Sequence, residues 1–373
     1  MKEKLIIASN NAHKVTEIRA ILGNRFGELL SLKEAGISHE TLEDGESFLQ
    51  NAEKKAREIA EISGCAALAD DSGLCVDALG GAPGIFSARF SGVHGDDQAN
   101  NEKLLRELSG CKNRSAHYCC AMAVAWPDGR ILEREGFLYG EIAESPAGNG
   151  GFGYDPLFLL PEKGKTLACL SAEEKNAISH RGRALEAIRA ALDDLQNSPS
   201  IVLGGFMGVG KTTVGRILAE KLNYSFIDMD DFVAGLAGKT IRELLMEGKE
   251  AEVRSWEQKA AALLAVRSRT VIATGGGVLA SEKNGALFHK TCKIIHLTRD
   301  FNTLYSEISQ DPVRRLAYHK SKEELSALLQ SRMAAYERHA DLTIANDGEA
   351  ENTAEIILHA LACKQEERDG ISQ

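Results

Sequence analysis

Short apolar runs alternate with longer amphipathic ones along most of the chain. In the first half the runs LIIAS, CAALADD, HYCCAMAVAW and RILEREGFLYG predict strands. Between them KVTEIRAILG, FLQNAEKKAREIAEIS and DQANNEKLLRELSG carry apolar residues three and four apart and predict helices. The mixture predicts a mixed α/β domain. The second half repeats strand and helix more regularly, through IVLGGF, TTVGRILAEKL, YSFIDMD, RTVIATGGG and KIIHLTR to a closing helix and strand. That order predicts a parallel α/β sheet.

The charged helical stretch SHRGRALEAIRAALDDL gives way at Gln196 to Gln-Asn-Ser-Pro-Ser and then to the strand IVLGGF. Pro199 disfavours helix at Ser198, which places a boundary near residues 196–200. Two domains are expected, 1–196 and 200–363, with a frayed polar tail (KQEERDGISQ) over 364–373. A linker of about five residues is too short to be a reaching tether, so the domains are expected to lie close together.

Length agrees, because 373 residues exceed the size at which a single core stops growing. Apolar residues at 43 % and charged residues at 26 % are ordinary globular composition and exclude disorder, collagen-like repeats and a coiled coil. The net charge is −10, from 44 basic and 54 acidic side chains, so no global attraction to nucleic acid or an anionic membrane is expected. Phosphate recognition must then be local. The start MKEKLIIASNNAHK has too short an apolar stretch for a signal peptide, and no run approaches the roughly 18 apolar residues of a membrane span, so cytoplasm is the expectation. The eight cysteines show no C-x-x-C pair and no zinc spacing; most are read as buried small hydrophobes in a reducing compartment.

Residues Gly205 to Thr212 fit a glycine, four free positions and Gly-Lys-Thr, between an apolar strand and an amphipathic helix. Gly205, Gly208 and Gly210 let backbone N–H groups around Val209 point at a β-phosphate. Lys211 can reach the β and γ oxygens, and the hydroxyl of Thr212, beside Thr213, can hold Mg²⁺. Asp228 and Asp230 in FIDMDD follow the second strand and alternate, so both carboxylates are expected to face one side of the strand's end, where one could serve the metal and the other the acceptor. Arg254 lies one helical turn before Glu257, a spacing that also suits a solvated ion pair. TGGGV brings Gly275, Gly276 and Gly277 to a strand end where a ligand can approach the backbone, and Arg314 and Arg332 add cations for a carboxylate or phosphate.

Residues 200–362 resemble shikimate kinase in GFMGVGKTTVGRILAEKL, FIDMDDF, VRSWE, TGGGV, an arginine-containing lid and R-x-x-x-Y. The resemblance implies that ATP phosphorylates shikimate, with Asp230 at the ring hydroxyls and Arg254 and Arg332 on the carboxylate. It further implies that the three glycines support the ring and that Arg314 covers the ATP phosphates. Three positions depart from the family: Lys249 in its G-E-x-x-F-R, Arg315 for a lid proline and Ala334 for the proline of R-x-P-x-Y.

In the first half, Ser9, Asn11 and Lys14 stand where a strand meets a helix, an anion-binding arrangement that helix capping would also explain. Asp70 and Asp71 in ADDSGL are expected to end a strand as paired carboxylates for a metal or a base. Glu43 could add a metal oxygen or be a solvated turn residue, and Lys55 lies on the helix after it. GNGGFGYDP sets Phe152 and Tyr154 beside Gly153 and Asp155, which suits stacking on a base. EEKNAISHRG adds Lys175, His180 and Arg181.

Over residues 3–195 the stretches SNNAHK, ADDSGL, GGAPGIFSAR, GGFGYDP and EEKNAISHRG, in that order, resemble the pyrophosphatases of noncanonical purine nucleoside triphosphates, the Ham1-like dITP/XTP family. The resemblance implies Mg²⁺-dependent cleavage to monophosphate and pyrophosphate, with Asp71 as general base and Glu43 with Asp70 or Asp71 at the metal. Ser9, Asn11, Lys14, Lys55 and Lys175 would serve the triphosphate. Ser72, residues 152–155, His180 and Arg181 would surround base and sugar. It also implies a homodimer through this half. The expected protein is a bifunctional enzyme acting on small molecules; the competing readings make one half a nucleotide-binding module without turnover, or the kinase half specific for another small hydroxy acceptor.

Overall fold

The computed structural model describes residues 3–309 and 320–371. By compactness the chain divides into two units, Met1–Leu192 and Asp193–Gln373.

In the first unit β1 (Lys4–Ile7) is followed by α1 (Ala12–Leu22), β2 (Glu28–Ser31), α2 (Phe48–Ser63) and β3 (Ala66–Val76). β1 pairs parallel with both β2 and β3, and α1 and α2 make the crossovers. α2 starts because the Ser47 side chain accepts the Gln50 N–H, and stops at Gly64, whose φ of 64° is left-handed. Its buried stripe of Phe48, Ala52, Ala56, Ile59 and Ala60 also holds one polar residue, Asn51. Burying Phe48 and Ile59 contributes about 1.5–3 kcal/mol each, so an amide in that stripe must have its own hydrogen bonds.

After α3 (Asp97–Glu107) the chain turns antiparallel, and β3 pairs with β4 (Ser115–Ala125), β4 with β5 (Ile131–Ile142), then β6 (Phe158–Leu160) and β7 (Lys165–Thr166). Here the structure corrects the sequence reading. β3 does not end at the acidic pair; its ladder with β4 runs on from Ala67 to Val76, with Asp70 opposite Met122 and Asp71 opposite Ala121. Adjacent residues of a strand face opposite sides, so the two carboxylates diverge. Gly73 allows this strand to lie under the turn that follows: a Cβ there would come within 2.4 Å of Ser87 Oγ and 2.7 Å of the Gly84 carbonyl oxygen. The unit closes with α4 (Ala172–Ile178), started by a Ser171–Glu174 capping box, and α5 (His180–Asn197).

The second unit holds β8 (Ile201–Gly204), α6 (Lys211–Leu222), β9 (Ser225–Asp228), α7 (Met229–Ala237), α8 (Ile241–Met246), α9 (Glu250–Leu264) and β10 (Thr270–Ala273). α10 (Glu282–His289), β11 (Lys293–Thr298), α11 (Phe301–Ile308), α12 (Lys322–His339), β12 (Leu342–Ala345) and α13 (Ala350–Ile371) follow. All pairings are parallel in the order β12-β11-β8-β10-β9. β8 and β10 are buried along their whole length, as a sheet covered on both faces requires. Since β8 has β11 on one side and β10 on the other, the loop after it opens at the switch point of the sheet. α13 runs through the stretch expected to fray, because EER continues its helical preference and no breaker occurs before Gly370. Of the cysteines, Cys119, Cys120 and Cys292 are buried, whereas Cys169 and Cys363 are exposed, so burial accounts for fewer of them than the apolar surroundings suggested.

Candidate active sites

The first site gathers on β3. Asp70, 4 % exposed, receives Lys14 Nζ at 3.0 and 2.8 Å and lies 3.5 Å from Arg181 Nε. Burial alone would raise its carboxyl, but the Lys14 and Arg181 cations outweigh it and hold the group well below the usual carboxylate range. Ser72 Oγ donates to the same carboxylate at 3.4 Å. Of the two carboxylates the sequence offered to a metal, Asp70 is the one that Lys14 and Arg181 hold.

Asp71 faces the other way. Its carboxylate accepts from Asn51 Nδ2 and from the Ser72 N–H, both at 2.9 Å. Burial raises its pKa, Asn51 works against that, and the Glu43 charge adds to the rise. Glu43 pairs with Lys55 at 2.5 Å, and Lys55 Nζ also donates to the Asp70 carbonyl at 3.2 Å. Glu43, Lys55 and Ser9 line a cleft of about 830 Å³, with His39, Arg89 and His94 on its walls. Ser9 Oγ accepts the Asn11 N–H at 3.1 Å, and Asn11 Oδ1 accepts the Lys14 N–H at 3.2 Å, which starts α1 by capping.

The expected base-stacking segment divides. Phe152 is 70 % exposed with Lys175 Nζ 4.6 Å from its ring centroid. Tyr154 is buried in the core, its hydroxyl donating to the Ser87 carbonyl at 2.8 Å, so it has no face to offer a base. Asp155, also buried, accepts from the Phe152 N–H at 3.0 Å and pairs with Lys175, which fixes the loop. Gly153, at φ 61°, donates its N–H to Asp97 at 2.7 Å. His180 stacks on Tyr118 with ring centroids 4.9 Å apart and planes at 11°. Burial first, then neighbouring Arg181, pushes its pKa down to about 3, so the ring is neutral. Arg181 sits against Asp70 and lies 3.8 Å from Glu17. Asn51 and Tyr118 escaped the sequence reading; an amide inside the apolar stripe of α2 was the legible sign of the first.

The second site surrounds the loop after β8. Lys211 is buried and donates to the carbonyls of Gly205 and Phe206, both at 2.8 Å. Gly208 and Gly210 have φ of 83° and 88°, the Val209 side chain is buried, and its carbonyl accepts from Asn346 at 2.8 Å. Thr212 Oγ1 donates to Asp228 Oδ2 at 2.9 Å, while Thr213 is exposed in the first turn of α6. Asp228 and Asp230 do not alternate along a strand: β9 ends at Asp228, which caps α7 by accepting the Asp230 N–H at 3.1 Å. Burial, then the charges of Asp228 and Glu257, raises the Asp230 pKa to about 6.

The glycine turn joins these groups. A Cβ on Gly275 would lie 2.5 Å from Asp230 Oδ1, and one on Gly277 2.5 Å from Arg254 Nη1. Arg254 also pairs with buried Glu257 at 2.7 Å. Arg332 Nη1 donates to the Gly276 carbonyl at 3.0 Å, and the Tyr336 hydroxyl donates to the same oxygen. Ala334 lies in the interior of α12, where a proline would remove a hydrogen bond; here the helix runs unbroken. Lys249 stands at the N-cap of α9 and pairs with Glu247 at 2.9 Å. Arg314 and Arg315 lie outside the described residues.

Among the described residues no three acidic, histidine or cysteine side chains converge as a ready-made metal cluster, and no helix is long and apolar enough to cross a membrane. Mg²⁺ needs less, being commonly held by one or two carboxylates plus substrate phosphates. Glu43 with Asp71 in the first unit, and Thr212 with Asp228 in the second, fit that donor set.

The Ham1 family model matches residues 5–191, and the shikimate kinase model matches residues 207–362. A dITP/XTP pyrophosphatase of Clostridium perfringens is 51 % identical over 195 residues, covering 50 % of this chain and 96 % of its own. The solved structure of the Staphylococcus aureus Ham1 protein is 38 % identical with a TM-score of 0.49, covering 51 % of this chain and 98 % of its own. A shikimate kinase from Acinetobacter baumannii, solved in complex with shikimate, is 29 % identical with a TM-score of 0.43, covering 46 % of this chain and 97 % of its own.

Proposed function

This chain belongs to the Ham1 family and carries a shikimate kinase-like second domain, and from that premise we propose two activities. The first half hydrolyses ITP, dITP or XTP to monophosphate and pyrophosphate. The second half transfers the γ-phosphoryl group of ATP to shikimate.

The observation that carries the first reading is Asp71, held by Asn51 and within reach of the charges of Glu43 and Lys55, two residues that line the open cleft. Asp71 takes a proton from the attacking water as a new P–O bond forms and the bond to pyrophosphate breaks. Glu43 and Asp71 would hold Mg²⁺, which when bound would neutralise charge on the phosphate oxygens. Lys14, Lys55 and Lys175 offset the charge left on pyrophosphate. Exposed Phe152 offers a stacking face. Neutral His180 offers a ring N–H that the 6-keto oxygen of the purine can accept.

In the second half Lys211 and the loop N–H groups orient the ATP phosphates, and Thr212 with Asp228 would hold Mg²⁺, which when bound would neutralise their charge. Arg254 and Arg332 bind the shikimate carboxylate. Asp230, with its pKa near 6, accepts the proton of the attacking hydroxyl, close to the ideal for a base at neutral pH.

The test uses the full-length chain with Lys211→Ala and Asp71→Asn. Expected is shikimate-dependent ADP formation that Lys211→Ala removes and Asp71→Asn spares, and pyrophosphate release from ITP with the opposite response. ADP formation indifferent to shikimate would point to another acceptor. Pyrophosphate release that survives Asp71→Asn would remove the role given to that carboxylate.

A further inference from the structure

α2 presents one face to the irregular segment 37–46, which forms a wall of the cleft and carries Glu43. Asn51, Lys55 and Glu58 lie on that face at helical spacing. Glu58 accepts from Thr41 Oγ1 at 2.7 Å and contacts His39 Nε2 at 2.8 Å, and Lys55 pairs with Glu43 at 2.5 Å. Asn51 Oδ1 accepts the Gly45 N–H at 2.8 Å. Two of the three also reach β3: Lys55 Nζ donates to the Asp70 backbone carbonyl at 3.2 Å, whereas Asn51 Nδ2 donates at 2.9 Å to the Asp71 carboxylate itself.

The carboxamide is 1 % exposed and committed at both ends. Rotated by half a turn, it would set its NH₂ against the Gly45 N–H and its oxygen against the Asp71 carboxylate, so a single orientation is allowed. Gly45 makes room for it: a Cβ there would lie 2.7 Å from Asn51 Oδ1 and 3.0 Å from Gln50 Cβ. The Asn51 side chain thus ties the segment carrying Glu43 to the Asp71 carboxylate itself.

We propose that Asn51 is a positioning residue of the pyrophosphatase site, holding the Asp71 carboxylate and the Glu43 segment in one register. This rests on the pyrophosphatase reading above. Asn51 touches neither the groups that meet the triphosphate nor the stacking face of Phe152. Its loss therefore misplaces the base and the Glu43 wall while leaving most substrate contacts in place, and the effect falls on kcat more than on KM.

The experiment measures pyrophosphate release from ITP with Mg²⁺ by the full-length wild type, Asn51→Asp and Gly45→Ala, with circular dichroism to verify folding. Asn51→Asp keeps the acceptor for Gly45 and removes the donor to Asp71. Gly45→Ala keeps Asn51 and displaces its amide. Expected is a fall in kcat on the order of 10²-fold for Asn51→Asp and about tenfold for Gly45→Ala, with KM within about threefold for both. Should Asn51→Asp fail to fold, Gly45→Ala, on a surface segment, decides alone. A kcat within about threefold of wild type in the folded variants, or a loss confined to KM, overturns the proposal. Wild type inactive on ITP, dITP and XTP would instead remove the pyrophosphatase reading on which it stands.

Discussion

The neutral state of His180 has a cost in acid that can be measured. Its ring lies against Tyr118, with Arg181, Lys175 and Lys14 as cationic neighbours and Asp70 as the one opposing charge, and its pKa falls to about 3. In the unfolded chain the imidazole titrates near 6.5. Between these values the unfolded state binds a proton that the folded state refuses, so stability rises with pH and is lost as pH falls below about 6.5. From pH 7 to pH 5 the unfolded imidazole goes from about one quarter to almost fully protonated, which costs the folded state about 2 kcal/mol. That figure holds for any folded pKa below about 4, so it does not depend on the depth of the shift. His180→Phe keeps a ring against Tyr118 and removes the proton. Urea unfolding at pH 7 and pH 5 would be followed by Trp126 fluorescence, with Trp256→Phe as background so that only the first unit reports. The wild type should lose about 2 kcal/mol more than the variant between the two pH values. A difference below about 0.5 kcal/mol, or an NMR titration of His180 near 6.5, refutes the neutral ring.

Two further expectations concern the second unit. Gly277→Ala puts a methyl where Arg254 Nη1 would be 2.5 Å away, so the guanidinium must move; KM for shikimate should rise about tenfold with KM for ATP unchanged, and an unchanged shikimate KM would separate Arg254 from the carboxylate. Because Asp230 acts as a base only when ionised and its pKa is raised to about 6, kcat/KM for shikimate should fall about tenfold per pH step below 6 and level off above it; a flat profile down to pH 5 would exclude Asp230 as the base.

Much of this molecule is written locally. The phosphate loop needs only a glycine spacing and a Lys-Thr pair between a strand and a helix, and all of these are neighbours in sequence. What local pattern could not supply is direction. Asp70 and Asp71 read as a pair, yet the ladder with β4 carries the strand past them and turns them to opposite faces. Phe152 and Tyr154 read as two stacking rings, but the Ser87 carbonyl, 67 residues from Tyr154, draws the tyrosine hydroxyl into the core. Tyr118 sat unnoticed in an apolar strand because its partner His180 belongs to a distant helix.

Under the proposed function both sites face a problem that phosphate binding creates. Cations gathered for an anionic ligand repel one another in its absence, and a buried one without a partner is expensive. Here the cations rest on protein acceptors. Lys14 lies on Asp70, Lys55 on Glu43, Lys175 on Asp155, Lys211 on the carbonyls of its own loop, and Arg332 on Gly276. The acceptors differ in what they permit. Lys211 leaves neutral carbonyls, so its exchange to phosphate gains charge pairing. Lys55 would leave a carboxylate, so under the proposed function Glu43 would need another cation, and Mg²⁺ is one that a carboxylate can hold. On that reading Lys55 is costlier to release than Lys211, because the group it leaves behind is charged.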